Sequence, residues 1–361
     1  MSLLHVFDLP QLYTKPPAEA LLEALALLTS APPSWECSDT EEQGDGVHKF
    51  GMRKAVKPKA VQISPKGVTR YLTSIVSSSL RWISDEGVKE EIWSQASMRL
   101  SERSGRTAMG AISRQFRIPS QSGSFQLTVH EPALTGDDLG LKTWAASYLL
   151  AKRLHTFDLL KSRNSGKIQV LELGSGTGLV GMAMAGLGAD VVLTDLPSIY
   201  SNLARNVQDN SAVVHENHGT MRTGLLDWTN PTLCRIFLPG TQTGDDGDDG
   251  TLLTEKFPLV LAADSLYSSE HPRLLVETIE AWLSDTSDAR VIVEFPFRDA
   301  YLPQIDDFRA RMGKIGLSII EEGEEKGYDD WGWAGADDEE NDKALVRCWW
   351  SCWGRLASAT N

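Results

Sequence analysis

The sequence has few cysteines, no long apolar run and no excess of positive charge, and each absence excludes a class of protein. Four cysteines occur in 361 residues, and no two of them have C-x-x-C spacing. This usage is typical of reduced thiols in an intracellular protein rather than of a disulfide scaffold. No apolar run approaches the length that spans a bilayer, and the first residues do not have the pattern of a signal peptide. We therefore expect a cytoplasmic protein that does not enter a membrane.

The charge balance argues against nucleic acid as a partner. Lysine and arginine number 35 against 49 acidic residues, which gives a formal net charge of −14. Tight binding to nucleic acid needs basic groups that neutralise phosphates, so we expect no direct contact with it. An acidic surface suits a basic protein partner, although solubility alone also explains it.

The chain divides into two parts with different patterns. In residues 1–110, apolar residues recur at helical spacing after Pro16-Pro17, between 67 and 84, and from about Glu86, which predicts an N-terminal helical extension. Within it, residues 30–60 mix proline, glycine and charge without periodicity and predict a flexible segment. Residues 111–361 predict a second domain that opens with a β-hairpin of two strands, 114–118 and 124–131.

After a predicted helix at 140–154, the second domain alternates strands and helices. The predicted strands are 168–173, 190–195, 211–215, 259–263, 291–295, 317–322 and 345–353. The predicted helices between them are 179–186, 198–209, 271–284 and 303–315. An insertion rich in tryptophan and acidic residues covers 328–342. The alternation predicts an α/β fold with a seven-stranded mixed sheet.

A glycine-rich turn joins the first of these strands to its helix. Glycines stand at 174, 176 and 178 after Glu172, in the pattern E-x-G-x-G-x-G. Glycine lets the backbone approach a ligand, and a helix start offers free N–H groups. A dinucleotide turn needs G-x-G-x-x-G, and here Leu179 occupies the place of its third glycine. The spacing is instead similar to motif I of class I methyltransferases that use S-adenosylmethionine; NAD binding and a turn without a ligand are the alternatives.

Ligands of open α/β sheets lie beyond the carboxyl ends of the strands, so the residues after each strand are the next candidates. Asp195 ends the second strand and is placed to accept hydrogen bonds from two ribose hydroxyls. Asp227 and Trp228 follow the third strand and suit an adenine, although a turn with a buried tryptophan is an alternative. Asp264 ends the fourth strand with Tyr267 one helical turn on, and together they predict a slot that steers and aligns an amine.

These motifs together resemble methyltransferase family 16, the seven-stranded protein-lysine methyltransferases, over about residues 114–355. Gly140-Leu-Lys-Thr-Trp144 is similar to a G-x-x-x-W element of that family, whose tryptophan lies beside the methyl donor. The resemblance implies donor contacts at Trp144, Gly174, Ser175, Gly176, Asp195, Trp228 and Ala263. To these the residue patterns add Glu172, Gly178 and Asp227. The resemblance also implies that Asp264 and Tyr267 line the lysine pocket.

The expected function is that of an S-adenosylmethionine-dependent protein-lysine N-methyltransferase with a class I, Rossmann-like sheet. The long extension and the Tyr-Asp-Asp-Trp-Gly-Trp sequence from Tyr328 resemble fungal enzymes that methylate eukaryotic elongation factor 2, which is therefore the favoured protein substrate. A small-molecule N-methyltransferase and a non-catalytic adaptor that binds the donor remain alternatives. We expect a monomer. We also expect no metal site, since His215 and His218 lack a third ligand nearby in the sequence.

Overall fold

The computed structural model describes residues 5–28, 63, 67–101, 110–133, 139–157, 166–237, 250–328 and 345–355. The chain separates into two compact units, one comprising residues 1–109 with 330–343 and the other 110–329 with 344–361. The predicted flexible segment 30–60 and almost all of the 328–342 insertion lie outside the described residues. No helix in the described ranges is long and apolar enough to cross a membrane.

The N-terminal unit contains α1 (Ala18–Leu27), α2 (Val68–Val76) and α3 (Glu86–Ser101) around its own apolar core. The core includes Leu25, Leu72 and Ile92, all fully buried. The prediction of one helix from 67 to 84 is wrong, because α2 ends at Val76. Serines follow that end, and the Ser77 hydroxyl donates to the Thr73 carbonyl at 2.8 Å, a local bond that competes with further helix.

The second unit opens with the predicted hairpin, formed by β1 (Ile112–Ser120) and β2 (Gly123–Glu131). Ser120 pairs with Gly123, so a two-residue turn joins the strands. The side chains of two asparagines hold the outer edge of β2. Asn206 accepts from the His130 N–H at 2.8 Å and donates to its carbonyl at 3.0 Å. Asn210 does the same at Thr128, at 2.8 and 2.7 Å.

The main sheet follows the predicted alternation, with two strands more than expected. Its strands in chain order are β3 (Gln169–Leu173), β4 (Asp190–Asp195), β5 (Thr220–Leu226), β6 (Cys234–Phe237), β7 (Thr251–Leu252), β8 (Leu259–Ala263), β9 (Arg290–Pro296), β10 (Ser318–Tyr328) and β11 (Leu345–Gly354). Their spatial order is β10-β11-β9-β8-β3-β4-β5-β6-β7. The five strands from β9 to β5 run parallel, and β11 pairs antiparallel with both β9 and β10. These seven strands form the mixed sheet that the alternation predicts, and the short antiparallel β6 and β7 extend it at one edge.

The helices of this unit are α4 (Ala145–Arg153), α5 (Leu179–Gly186), α6 (Pro197–Asp209), α7 (Ser211–Glu216), α8 (His271–Trp282) and α9 (Leu302–Lys314). Side chains of α8 and α9, such as Ile279 and Phe308, share one buried core with the sheet. On the opposite face, α5 is buried along its whole length. Central strands covered on both faces explain why β3 reads as a nearly continuous apolar run.

The predicted strand at 211–215 is wrong: these residues form α7, and the third parallel strand is β5. The two valines of Ser211–His215 favour a strand locally, but Val214 is the only buried residue of the segment, as expected for one short helical face. Asn210, at the junction of α6 and α7, is fixed by its side-chain bonds to Thr128. That tertiary contact continues the helical path and overrides the local strand preference.

Candidate functional site

A cavity of about 360 Å3 lies at the carboxyl ends of β3, β4, β5 and β8. Its volume falls in the range of small-molecule sites. The predicted residues that line it are Trp144, Gly174, Ser175, Gly176, Asp195, Asp227, Trp228, Ala263, Asp264 and Tyr267. A wider, more open and polar depression lies at the amino ends of the strands, beside Lys167, Asp190 and Thr220. In open α/β sheets the carboxyl ends bind the ligand, so the first cavity is the candidate site.

The glycine-rich turn forms the floor of this cavity. Gly174, Gly176 and Gly178 have φ values of +65°, +56° and +88°, a backbone region that side chains disfavour. A Cβ on Gly174 would lie 3.0 Å from the Trp228 ring, and one on Gly176 would lie 3.0 Å from the Gly140 carbonyl oxygen. Glycine is therefore required at 174 and 176 both by backbone conformation and by close neighbours.

Gly178 is not a lining residue of the cavity. It is the N-cap of α5, and a Cβ there would lie 2.8 Å from Leu203 of α6. Its place in the turn allows close packing of two helices. Among the residues that the sequence assigned to the donor, Gly178 and Glu172 are the two that the structure places behind the cavity wall.

Asp195 is oriented by the main chain at the end of β4. Its Oδ2 accepts the Gly176 N–H at 2.7 Å, and its Oδ1 accepts the Leu196 N–H at 2.7 Å. Each carboxylate oxygen has a further lone pair, so both can still accept a hydroxyl from a ligand. Burial raises the pKa of Asp195 to about 6, although the two N–H bonds favour the charged form.

Glu172 supports the turn from inside the protein. Its side chain is buried, and burial raises its pKa to about 8 despite hydrogen bonds from the Ser175 hydroxyl and the Gly181 backbone. The Ser175 N–H donates to the Thr194 carbonyl at 2.9 Å, while its Oγ accepts the Thr194 N–H at 3.0 Å. The turn is thus tied to β4 beside Asp195.

Asp227 and Trp228 lie beyond β5. Asp227 Oδ1 accepts both the N–H and the hydroxyl of Thr229 at 2.8 Å, which forms an Asx turn, and the residue is exposed where it lines the cavity. The Trp228 ring covers the glycine turn, and it fits there because Gly174 has no Cβ. Trp228 is half-buried, so one part of its ring remains open to the cavity.

Trp144 is the N-cap of α4 and lines the cavity. Its indole N–H donates to the Leu139 carbonyl at 3.0 Å. Two cations flank its ring: Lys142 Nζ lies 4.3 Å and Arg298 Cζ 5.0 Å from the ring centroid. Both distances are those of cation–π contacts, and both cations line the cavity, so this end suits a carboxylate.

Asp264 and Tyr267 lie together after β8, as predicted. Asp264 has a φ of +55°, which is rare outside glycine, and its N–H donates to the Glu294 carbonyl at 2.9 Å. A strained backbone that is held in place by its neighbours is common at functional sites. The Tyr267 ring is exposed to the extent of 46%. Burial of its hydroxyl, with Asp195 and Asp264 nearby, raises the pKa of Tyr267, so its phenol stays protonated.

Sequence reasoning missed several lining residues, chiefly Lys142, His271 and Arg298. Lys142 falls inside the G-x-x-x-W element, which predicts a donor contact only at Trp144. Arg298 lies two residues after the end of β9, and no motif in the sequence marks it. His271 opens α8 four residues after Tyr267, and no local sequence pattern marks it as a site residue.

Comparison with known proteins gives a consistent result. A family model described as lysine methyltransferase matches residues 122–300. The protein-lysine N-methyltransferase rrg1 of Schizosaccharomyces pombe is 32% identical over 289 residues, which cover 80% of this chain and 85% of rrg1. The protein-lysine N-methyltransferase EFM2 of Saccharomyces cerevisiae is 34% identical over 69% of this chain and 58% of its own length. The EEF1A lysine methyltransferase 3 of Mus musculus is 34% identical over 39% of this chain and 59% of its own length.

Proposed function

The chain belongs to the lysine methyltransferase family, and on this premise we propose that it methylates a lysine of a translation elongation factor, with eukaryotic elongation factor 2 favoured. The methyl donor is S-adenosylmethionine. One observation carries the proposal: the ends of four strands meet at one cavity. Its lining includes the glycine turn, Asp195, Trp228, Asp264 and Tyr267.

The residues of the cavity fit an adenosyl sulfonium donor. Gly174 and Gly176 leave room where a Cβ would meet Trp228 or the Gly140 carbonyl, so the ligand can lie against backbone. We assign the ribose hydroxyls to Asp195 and the adenine to Trp228 with Asp227, and we extend the donor contacts to Ser175 and Ala263. Trp144 closes the methionine end. Glu172 and Gly178 serve this arrangement indirectly, by supporting the turn and packing α5.

The donor supplies an activated methyl group on sulfur, and the remaining task of the protein is to present a neutral amine in line with it. We assign that task to Asp264 and Tyr267. A carboxylate attracts the incoming ammonium, and an aromatic wall lowers the local dielectric, which favours the uncharged amine. Holding two reacting groups in line accounts for a large part of the rate that such a site can provide.

The substrate assignment combines the family with the character of the chain. One relative is named for lysine methylation of EEF1A, which supports elongation factors as a substrate class. The resemblance of the extension and of the 328–342 insertion to fungal enzymes favours elongation factor 2. We assign substrate selection to residues 1–110 and to that insertion, and we propose that the protein acts as a monomer in the cytoplasm, on protein and not on nucleic acid.

The test is transfer of radiolabelled methyl groups from S-adenosylmethionine to purified elongation factor 2 and, in parallel, to elongation factor 1A. We expect label on a lysine of elongation factor 2, located by mass spectrometry of the modified peptide. Label on factor 1A alone would correct the substrate. Label on small metabolites, or donor binding without transfer to any fraction, would replace the proposal with a small-molecule enzyme or a binding protein.

A further inference from the structure

His271 connects the two sides of the cavity, and neither the donor contacts nor the amine slot described above uses it. Its ring centroid lies 4.3 Å from that of Tyr267 and 6.0 Å from that of Trp228, in both cases edge to face. The same ring lines the cavity. It therefore touches the aromatic residue assigned to the amine and the one assigned to the adenine.

A single hydrogen bond determines which ring nitrogen of His271 carries the hydrogen. Nδ1 lies 2.9 Å from the Ser265 carbonyl oxygen, which can only accept, so Nδ1 is the donor. In the neutral ring, Nε2 then has a free lone pair. Within the described ranges Nε2 makes no hydrogen bond, and it is not among the buried polar atoms that have no partner. It is therefore an accessible acceptor on a ring that lines the cavity.

The surroundings keep the ring neutral. Burial lowers the pKa of His271, and this effect outweighs the Ser265 hydrogen bond, which favours the charged form. Tyr267, against which the ring packs, stays protonated because its own pKa is raised. The charged side chains that line the same cavity are Lys142, Asp195, Asp227, Asp264 and Arg298, and Glu270 and Arg273 flank His271 in sequence.

The reaction needs a proton acceptor. A lysine in water has a pKa of about 10.4, so nearly every substrate side chain arrives as an ammonium without a lone pair. A carboxylate binds that cation well, but a group with a pKa nearer neutrality is the better base at the working pH. An imidazole has an ordinary pKa of about 6.5. Burial lowers the pKa of His271 from that value, so at pH 7 its ring is neutral and can take up a proton.

We propose that Nε2 of His271 accepts the proton that the substrate ammonium loses before methyl transfer. The inference rests on the proposed function. The N–H bond breaks and its electron pair stays on the amine; that pair forms the new C–N bond as the C–S bond breaks and its pair returns to sulfur. The product leaves as a methylammonium, and the imidazolium returns its proton to solvent. Asp264 attracts the cation, Tyr267 confines it and His271 deprotonates it.

The test variant is His271→Asn, which keeps a side-chain donor for the Ser265 carbonyl but removes the base. We expect kcat on elongation factor 2 at pH 7 to fall about 100-fold, the scale of losing one general base. Donor affinity, measured by calorimetry, stays unchanged. The deficit shrinks as pH rises from 6 toward 9.5, because the substrate amine then loses its proton unaided. At acidic pH, once His271 is itself protonated, the activity of the wild type falls in parallel with that of the variant, so the deficit stops growing. His215→Asn, on the exposed side of α7, is the matched control.

Several outcomes would overturn the inference. If the kcat of the variant stays within about threefold of that of the wild type, a group other than His271 accepts the proton. If the loss of kcat is equal at every pH, His271 only packs between Tyr267 and Trp228 and does not act as a base. His271→Gln gives a second reading if circular dichroism shows the Asn variant unfolded. A wild type that labels neither factor would instead overturn the proposed function, and this inference with it.

Discussion

The cavity has two walls that are built by different means. The donor wall, comprising Gly174–Thr177, Asp195 and Asp227–Trp228, is held largely by the main chain: two backbone N–H groups orient the Asp195 carboxylate. The acceptor wall comprises Asp264, Tyr267 and His271, whose side chains lie after β8 and at the start of α8. They are fixed by ring contacts and by the Ser265 and Glu294 carbonyls. The first wall is bound into the sheet, whereas Tyr267 in the second remains exposed.

This difference predicts a division of labour that kinetics can resolve. A wall organised by backbone presents the same surface to every donor molecule, so changes to its side chains should mainly alter donor affinity. A wall organised by side chains acts on the amine at the moment of transfer, so changes there should mainly alter turnover. Interactions made only in the transition state lower kcat, and those made equally with bound substrate raise KM.

The largest effect is expected at the acceptor wall, from Asp264→Asn. Asparagine tolerates the left-handed backbone at this position, so the change removes charge with little strain. We expect turnover to fall about 100-fold or more, the scale of losing one positioned catalytic group, while donor affinity stays within about threefold. Asp209→Asn, at an exposed position of α6, is the control. Equal loss of donor affinity and turnover would mean that the two walls are not separable.

A smaller effect is expected at the donor wall, from Asp195→Asn. Loss of a charged hydrogen-bond acceptor costs about 1.5–3 kcal/mol, so we expect donor affinity to fall about 10- to 100-fold, with kcat restored at saturating donor. The pKa of Asp195 is raised to about 6, so wild-type affinity should decline as pH falls through 6, where protonation removes one acceptor. The variant should show a flat profile there. A kcat that stays low at saturation would contradict the assignment.

The smallest effect concerns the support behind the donor wall, from Glu172→Gln. The pKa of Glu172 is raised to about 8 in the folded protein, so the native state holds a proton that the unfolded chain releases. The free energy of unfolding of the wild type therefore falls as pH rises from about 4.5 to 8, and the glutamine variant lacks this loss. We therefore expect the free energy of unfolding of the variant, measured in urea, to rise relative to that of the wild type by at least about 1 kcal/mol when the pH is changed from 6 to 8. A difference that is independent of pH would show that Glu172 is already ionised.

The donor wall was the part most accessible from the sequence, for a physical reason. Positive φ values demand glycine at fixed spacing, and a carboxylate at the end of the next strand completes a βαβ unit, so Gly176 and Asp195 are marked by local pattern. The geometry of the acceptor wall depends on tertiary contacts. Asp264 and Tyr267 were found by their place after a strand, but the contact of His271 with both Tyr267 and Trp228 has no local pattern.

The errors in the predicted secondary structure also arise from tertiary contacts that have no local pattern. Ser211–His215 carries β-branched residues that favour a strand, and only the contact of Asn210 with the hairpin shows why the helical path continues. The serines after α2 have the composition of a helix end, yet the apolar stripe continues through Leu80 and Ile83, which are buried in the same core from a turn. Periodicity reports which residues are buried, and it does not by itself report the backbone that buries them.

Asn206 of α6 and Asn210 at its C-terminal end have a consequence for how the molecule behaves in a crowded solution. An unpaired strand edge invites a strand from another chain, which is how many sheet proteins aggregate or exchange elements. On β2 the four outward groups of Thr128 and His130 are already bonded to Asn206 and Asn210. A foreign strand would have to displace both amides first. Asn206 also donates to the Thr177 carbonyl at 2.9 Å, so that intrusion would disturb the glycine turn as well.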